Sequence, residues 1–247
     1  MHRGIYINQH DIREYGAKLQ MDYAISGGEI ENITNRGAGR SSTLLLRQSR
    51  EPLEITLPLD IYGKDKRETM DHLTGIMALL TGTFEVDLSD GYAYTCTCKG
   101  IGATAWVNDE ICSVDITLSG FKHGEPMRVS GTAPLRVYNP GTWPKTDCKL
   151  TIRALSIPAG TLAIIRLFHA TELITEWTLT PLIGYITGGD LVLDGQGMQN
   201  LYNGGNLRAG TMRWTDYPYL TPGENVLDIE CGTASVAATV EFTPTFL

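Results

Sequence analysis

The chain has 247 residues, of which 42% are hydrophobic and 19% are charged, and it carries a net charge of −8 at pH 7. This composition is typical of a globular protein with one large domain or two smaller ones, and not of a disordered chain. Neither half has the basic surface that phosphate binding requires, so we expect no direct nucleic-acid binding. We find no apolar run long enough for a membrane helix and no secretory leader in residues 1–30, so we expect no membrane partner and folding in a cytoplasm.

The cysteines do not predict a disulfide framework, because their number is odd and no leader precedes them. No pair of Cys or His has the spacing of a zinc finger, so we expect no metal and no other cofactor. The cysteines are interpreted as small buried apolar side chains. They are Cys96, Cys98, Cys112, Cys148 and Cys231.

The first fifty residues predict short elements and one long loop. Residues 4–8 alternate, with Ile5 and Ile7 on one face, and the polar segment 11–19 favours a turn or one helical turn between two strands. Residues 26–42 are glycine-rich and polar, which predicts a long loop that is either mobile or a contact arm. A short strand is expected over residues 44–47.

The clearest strand pattern in the chain is Leu53 to Ile61, where every odd position is Leu or Ile. One face of this strand is therefore expected in the core and the other in contact with water or a partner. Pro58 falls on the polar face. Because proline has no amide hydrogen for a strand ladder, it predicts an edge strand or a bulge and a place for a subunit contact.

One helix is predicted over residues 65–81. Asp65 is its expected N-cap, Glu68 completes a capping box, and Gly82 marks its end. Its apolar stripe consists of Met70, Leu73, Ile76, Met77 and Leu80.

Gly75 and Leu79 lie roughly opposite that stripe when the helix is drawn at 100° per residue. A helix that buries a single face gains nothing from a glycine and a leucine on its outer side. We therefore predict that this outer side contacts another subunit.

Three further strands are predicted at residues 83–89, 92–99 and 111–119, with the hairpin turn Asp90–Gly91 between the first two. Residues 101–107 are expected to form another strand or to extend the second. The first half is thus interpreted as a β-sandwich with one packed helix, spanning residues 1–131.

The stretch from Ala133 to Pro144, with the turn Asn139–Pro140–Gly141, is interpreted as the strand and turn that open a second domain. Turn signals then recur about every ten residues with no helix pattern, which is typical of an antiparallel β-sandwich. Residues 195–210 are expected to be an irregular connection. Strands are predicted at residues 148–154, 161–169, 173–180, 191–193, 225–230 and 234–242.

The order of these motifs resembles that of the distal tail proteins of long, flexible-tailed bacteriophages and prophages. Asp11–Leu19 is similar to the opening of the first domain in that family, and Asp65–Thr81 lies where that domain carries its single helix. Asn139–Thr142 followed by Pro144 resembles the start of the second domain. Asp190–Asp194 and Tyr219–Asn225 resemble the strand, loop and turn at the end of the family pattern.

The resemblance implies a mainly β protein with a ring-forming domain at residues 1–131 and a galectin-like sandwich at residues 132–247. It implies a homohexameric ring at the virion tail tip, which joins the tail tube and tape measure to the baseplate hub and receptor-binding proteins. A closed ring requires one subunit to pair with the next. The loop at residues 26–42 and the strand at residues 53–61 are our predicted seam.

No active site is predicted. No metalloprotease, nucleophile-elbow or phosphate-loop motif occurs, and the histidines are isolated. Asp190 and Asp194 flank one short strand, which does not establish the carboxylate separation that glycoside hydrolysis requires. The histidines are His2, His10, His72, His123 and His169.

Two alternatives stay open at this point. Trp214, Tyr217 and Tyr219 form an aromatic cluster on which a host cell-wall glycan can stack, so the chain can be a carbohydrate-binding module. The same aromatic spacing is also common in the core or cover of a sheet. The other alternative is a different tail component, either a tube subunit or a hub subunit.

Overall fold

A computed structural model describes residues 4–35, 44–157, 162–179, 186–206, 212–214, 216–231 and 236–247. The protein is mainly β, and its described residues contain one α-helix. The chain divides into two compact units, one up to His123 together with Leu247 and the other from Gly124 to Phe246. No helix in the described ranges is both long enough and apolar enough to cross a membrane.

The first unit contains eleven described strands, a short 3₁₀ helix at Ile12–Tyr15 and the α-helix α1 at Lys66–Leu79. The strands are β1 Tyr6–Ile7, β2 His10–Asp11, β3 Ala17–Leu19, β4 Ala24–Gly27, β5 Ile30–Asn35, β6 Leu44–Arg50, β7 Leu53–Tyr62, β8 Thr83–Asp87, β9 Ala93–Ile101, β10 Ala105–Asn108 and β11 Ile111–His123.

Nine of these strands form one antiparallel sheet in the order β2-β1-β8-β9-β11-β7-β3, with β4 also on β7 and β10 also on β11. Its inward side chains pack with those of α1 in a single apolar cluster. The alternation predicted for residues 53–61 is confirmed, because Leu53, Ile55, Leu57, Leu59 and Ile61 are all buried.

The edge strand or bulge predicted at Pro58 is wrong. β7 pairs with β11 in unbroken register, and β3 and β4 cover its other edge. The carbonyl oxygen of Pro58 accepts a hydrogen bond from Gln20 N–H at 2.9 Å, between the end of β3 and the start of β4. Because the N and C=O groups of one residue face the same edge of a strand, the proline nitrogen also faces this gap and interrupts no ladder.

The predicted helix is confirmed, together with its N-cap. Asp65 Oδ1 accepts a hydrogen bond from Glu68 N–H at 2.8 Å. The Glu68 carboxylate accepts one from Lys64 N–H at 2.6 Å, one residue earlier than a capping box requires. The bond to Asp65 satisfies an amide group that the first helical turn leaves unpaired, so the helix starts where the sequence predicts.

The apolar stripe of α1 is rotated from the predicted one. Met70 and Met77 are each 43% exposed, and Thr69 is fully buried instead. The Thr69 hydroxyl donates to the carbonyl oxygen of Asp65 at 2.9 Å, so its burial leaves no unpaired polar group. The buried face consists of Thr69, Leu73, Ile76 and Leu80.

The long loop predicted at residues 26–42 is wrong over residues 26–27, which end β4, and over residues 30–35, which form β5. β4 pairs with β7, and β5 pairs with β6. Polar and glycine-rich sequence becomes extended here because a neighbouring strand supplies its hydrogen bonds. Residues 36–42 of the predicted loop lie outside the described residues.

The second unit contains twelve described strands and, within those ranges, no helix. They are β12 Met127–Thr132, β13 Leu135–Asn139, β14 Thr146–Ile157, β15 Ala163–His169, β16 Glu172–Leu179, β17 Ile186–Asp194, β18 Gln199–Tyr202, β19 Gly205–Asn206, β20 Met212–Trp214, β21 Tyr219–Leu220, β22 Gly223–Glu230 and β23 Ala237–Phe242.

Two antiparallel sheets enclose the core of this unit. One has the order β12-β23-β14-β17-β18-β19 with β21 on β14, and the other has the order β13-β22-β15-β16-β20. Buried side chains from both sheets, including Leu150, Val240, Leu167 and Trp177, form one apolar cluster. This arrangement is an antiparallel β-sandwich.

Two details of the second unit differ from the sequence prediction. β12, assigned by the sequence to the first domain, pairs with β23 of the second unit. Residues 199–206 form the hairpin β18–β19 and are not irregular. Its turn residues Asn203 and Gly204 both have positive φ, which is the geometry of a tight two-residue hairpin. Residues 207–210 lie outside the described residues.

Candidate interaction surfaces

The first surface is the ribbon formed by β5 and β6. Among the described residues these two strands pair only with each other, from Ile30 opposite Arg50 to Asn35 opposite Leu44. The ribbon continues the hairpin of β4 and β7, because β4 leads into β5 and β6 leads into β7. A two-stranded ribbon alone in water is only marginally stable, so a further partner is expected to cover it.

The strand β4 has one edge that pairs with no other described strand, next to this ribbon. Its residues Ala24, Ile25, Ser26 and Gly27 are all exposed, and none is charged or a proline. One side of β4 pairs with β7. Edge strands of this kind readily pair with another chain unless charges, proline or a covering element prevent it.

A groove of about 240 Å³ lies near the opposite end of the same sheet, lined by Tyr6, Gln9, Glu85 and Asp87. The turn between β1 and β2 holds one wall of the groove. Asn8 N–H donates to the carbonyl oxygen of Glu85 at 2.8 Å, and Glu85 N–H donates to Asn8 Oδ1 at 3.0 Å.

The groove has an excess of negative charge. Asp11, opposite Tyr6 in the sheet, is paired with Arg13, whose hydrogen bonds lower the pKa of that carboxyl. Glu85 and Asp87 are exposed and form no ion pair with any described residue. Within the described ranges, two exposed carboxylates at this end of the sheet therefore have no paired cation.

The structure places the predicted outer helix residues against the chain itself. A Cβ atom on Gly75 would lie 2.5 Å from ring carbon Cδ1 of Tyr15 on the 3₁₀ helix, and Leu79 is half-buried against the core. Gly75 therefore allows the close approach of Tyr15, which explains the glycine without a second subunit. Pro58 is also buried. Subunit contacts at Gly75, Leu79 and Pro58 remain predictions.

The predicted aromatic cluster is divided between the two sheets of the second unit. Trp214 lies on β20, Tyr217 on the following loop and Tyr219 on β21. The Lys145 ammonium lies 4.4 Å from the centre of the Tyr219 ring and 3.3 Å from an Asp216 carboxylate oxygen. One face of Tyr219 is thus occupied by a cation, which leaves less of the ring for a stacked sugar.

A charged ladder crosses the outer face of the five-stranded sheet. The Arg166 guanidinium contacts Glu176 at 3.0 Å, Glu230 at 2.9 Å and Asp228 at 4.0 Å. These hydrogen bonds raise the pKa of Arg166 above its usual value. The carboxylates lie on β16 and β22, on either side of β15, so the arginine joins three strands.

The acidic residues considered for catalysis have roles in turns. Asp194 Oδ1 accepts a hydrogen bond from Gly197 N–H at 2.8 Å, and Asp190 N–H donates to Asn203 Oδ1 at 3.0 Å. No group of three or more potential metal ligands occurs in the described part of the chain. Burial raises the pKa of the Cys96 thiol to about 12, which disfavours the reactive thiolate form at neutral pH.

Neither the groove nor the pairing of β5 with β6 follows from a local sequence pattern. The groove joins residues of β1 and β8 that are about eighty positions apart in the sequence. No local pattern predicts that approach. The one local signal in the sequence is the apolar run Leu44–Leu46 within a polar region. Such a run indicates a segment that packs against a partner.

No protein-family model matches the chain, and no curated protein matches it. Among solved structures, the Dit protein (gp 19.1) of phage SPP1 has a similar fold, with a TM-score of 0.69, 14% identity and 99% of each chain covered. That structure is described as a paradigm of the hub adsorption apparatus in phages that infect Gram-positive bacteria.

Two structures of the activated phage P2 baseplate also align with the chain. The calcium form has a TM-score of 0.44 and 10% identity over 99% of this chain and 98% of the other. The strontium form has a TM-score of 0.44 and 12% identity over 98% and 97%. The likeness to SPP1 Dit shows a shared fold over nearly the full length of both chains.

Proposed function

We propose that this protein is a structural subunit of a phage tail tip, a distal tail protein that closes into a homohexameric ring. The observation that carries the proposal is the fold shared with SPP1 Dit, which covers 99% of both chains and includes both units. A fold shared over two linked units is more specific than a single shared β-sandwich, which is a common fold. The order and the type of both domains must also agree.

The first unit supplies the ring in this proposal. A ring of identical subunits needs two different surfaces on each subunit that fit each other. The strand at residues 53–61 is paired along both edges, so the seam falls instead on the ribbon β5–β6 and on the exposed edge of β4. The edge of β4 presents backbone groups and the ribbon presents apolar sequence, and a neighbouring subunit can cover both.

The second unit faces outward in the proposed assembly, as a galectin-like sandwich. The ring joins the tail tube and tape measure to the baseplate hub and receptor-binding proteins of a siphovirus-like phage or prophage. Its role is structural and not catalytic, and its place is the virion tail tip after synthesis in the host cytoplasm. The alternative of a tube or hub subunit is less well supported, because the similarity to SPP1 Dit covers both units.

The carbohydrate-binding alternative depends on the aromatic residues Trp214, Tyr217 and Tyr219. Titration of the protein with host cell-wall polysaccharide tests it directly, with Tyr219→Ala as the informative variant and the exposed Tyr138→Ala as a matched control. Saturable binding that only Tyr219→Ala abolishes would support a glycan site. An absence of binding in the wild type would remove this alternative and leave the ring proposal unchanged.

The ring is tested by native mass spectrometry and negative-stain electron microscopy of the purified chain, alone and co-expressed with neighbouring tail proteins. We expect a six-fold ring with a mass six times 27.1 kDa. Particles that stay monomeric in both preparations would contradict the proposed ring.

A further inference from the structure

The tip of the hairpin β18–β19 is the only place in the sequence where a glycine follows an asparagine. Asn203 and Gly204 are both exposed, with φ of +50° and +76°. Because φ is positive at both central residues, the turn is of type I′. The strand pairing ends with Tyr202 opposite Gly205, so the amide of Gly204 takes no part in the ladder. Both turn residues are therefore open to solvent and outside the strand pairing.

An asparagine side chain that precedes a glycine can react with its own main chain, because glycine has no side chain to crowd its amide nitrogen. Once hydroxide removes the Gly204 amide proton, that nitrogen can attack the side-chain carbon Cγ of Asn203. A new C–N bond forms, the bond from Cγ to the side-chain nitrogen breaks, and ammonia leaves a five-membered imide ring behind. Water then opens either C–N bond of the ring, which gives aspartate or isoaspartate without any oxidant or reductant.

The hydrogen bonds of Asn203 favour this attack. Asp190 N–H donates to Asn203 Oδ1 at 3.0 Å, and Asn203 N–H donates to the carbonyl oxygen of Asp190 at 3.0 Å. A donor on the side-chain oxygen draws electron density from Cγ and stabilises the negative charge that develops on this oxygen during the attack. The strand β17 therefore holds the side chain with its carbonyl group activated.

One rotation must precede ring closure. In a type I′ turn, ψ of the first central residue is about +30°, which places the next nitrogen on the far side of the Cα–C bond from Cβ. In a type II′ turn this ψ is about −120°, and the nitrogen eclipses Cβ as the imide ring requires. A flip of the single peptide group between the central residues interconverts the two turns, and both close two-residue hairpins.

The glycine of the turn permits this flip. The flip reverses the sign of φ at Gly204, and glycine adopts either sign at little cost. No described atom lies within 4 Å of the position that a Cβ atom of Gly204 would occupy. The turn can therefore change type while β18 and β19 stay paired.

Two other pairs, in which an aspartate precedes a glycine, lack these conditions. In Asp194–Gly195, the glycine N–H donates to the carbonyl oxygen of Cys148 at 2.9 Å, so its nitrogen is already engaged. In Asp90–Gly91, the two carboxylate oxygens accept hydrogen bonds from Tyr92 N–H at 3.0 Å and from the Tyr94 hydroxyl at 2.6 Å. Ring closure there would have to expel one of these bonded oxygens.

We propose that Asn203 is a site of spontaneous deamidation, which proceeds through a flip of the Asn203–Gly204 peptide while β18 and β19 remain paired. This inference does not depend on the proposed ring. The reaction adds one negative charge at the tip of the hairpin. The isoaspartate product also adds a methylene group to the main chain, so the two-residue turn cannot keep its present form. The modification therefore remodels the hairpin at the edge of the seven-stranded sheet.

Peptide mass spectrometry of the full-length chain tests the site. The folded wild type is incubated at mildly alkaline pH and physiological temperature, and samples are digested with pepsin in acid, where the amide stays protonated. Deamidation raises the mass of the peptide that contains Asn203 by about one dalton. Asn200 is the internal control, because leucine follows it in β18. Asn203→Gln is the matched variant, because its longer side chain would have to close a six-membered ring.

The route is tested by comparing rates. If the peptide flip is sufficient, the folded protein should react within about tenfold of the rate in the urea-unfolded chain. Asn225→Ala removes buried hydrogen bonds elsewhere in the second unit, and it should change the rate by less than about twofold. A reaction that requires unfolding would be at least about a thousandfold slower in the folded protein, and Asn225→Ala would accelerate it about a hundredfold.

We expect the wild type to be modified at Asn203 in the folded state, with Asn200 and the Asn203→Gln variant intact over the same period. An Asn203 that stays intact in the folded protein but reacts readily in urea would overturn the proposal, because the turn would then protect the site. A strong acceleration by Asn225→Ala would overturn the flip as the route. Modification of Asn200 at the same rate as Asn203 would exclude a special role for this turn.

Discussion

Asn139 and Asn225 both donate a side-chain amide hydrogen to the main-chain carbonyl oxygen of Thr221, at 3.3 and 2.8 Å. Both asparagines are buried, with at most 1% of their surface exposed. Asn139 is the last residue of β13, where the turn begins, and Asn225 lies on the adjacent strand β22. The two turn motifs that the sequence places at the start and near the end of the second unit are thus joined by hydrogen bonds.

Asn225→Ala should lower the free energy of unfolding of the second unit by about 3 kcal/mol. The Asn225 side chain accepts from Thr221 N–H and from the Thr221 hydroxyl, and it donates to the carbonyl oxygens of Thr221 and Gly223. Its removal leaves buried backbone groups unpaired. Urea denaturation followed by circular dichroism measures the change. The exposed Gln196→Ala is the control, and equal stability of the two variants would contradict the role of Asn225.

Gly75→Ala should destabilise the first unit by about 1–3 kcal/mol, although alanine normally stabilises a helix relative to glycine by about 1 kcal/mol. The added methyl group would lie 2.5 Å from the ring of Tyr15, so one of the two elements must shift. Thermal unfolding of Gly75→Ala and of the double variant with Tyr15→Ala tests this. When the aromatic ring of Tyr15 is removed, the added methyl group should no longer lower the free energy of unfolding. A destabilisation of the same size in the Tyr15→Ala background would exclude the clash as its cause.

The features that were predicted from the sequence depend on neighbouring residues. The cap at Asp65, the hairpin of β8 and β9 around Asp90–Gly91 and the alternation of β7 each depend on residues a few positions apart, so their chemistry can be recognised locally. The contact of Tyr15 with Gly75 and the walls of the groove join distant segments. Local patterns carry no information about such approaches, so they do not show why residue 75 is a glycine.

Met198→Gly should stabilise the second unit by about 0.5–1 kcal/mol. Met198 has φ +50° in the turn between β17 and β18 and is 70% exposed, so its side chain adds strain with little burial. Gly204→Ala is the matched opposite change, because Gly204 has φ +76° and open space around its Cβ position. It should destabilise by about 1 kcal/mol in the same denaturation measurement. Changes of the same sign in both variants would contradict backbone strain as the cause.

The stability of the first unit should fall as pH rises from about 9 towards about 12. Burial raises the pKa of the Cys96 thiol to about 12, whereas the thiol of an unfolded chain ionises near its usual value of 9. Above pH 9 the unfolded state therefore releases a proton that the folded state retains, which favours unfolding. Cys96→Ala should show a flatter stability profile between pH 9 and 11 than the wild type. Identical slopes in the two proteins would assign the loss to other groups.

Pro58→Ala should lower the free energy of unfolding by no more than about 1 kcal/mol, although Pro58 lies within a strand that is paired on both edges. Its nitrogen faces the segment between β3 and β4, so an added amide hydrogen meets no strand there. Thr56→Pro is the informative contrast, because Thr56 lies opposite Ala24 in the β4 ladder. We expect it to cost about 3 kcal/mol in urea denaturation. Equal effects of the two changes would mean that β4 does not form a stable ladder with β7, and the exposed edge proposed for the ring seam would then be absent.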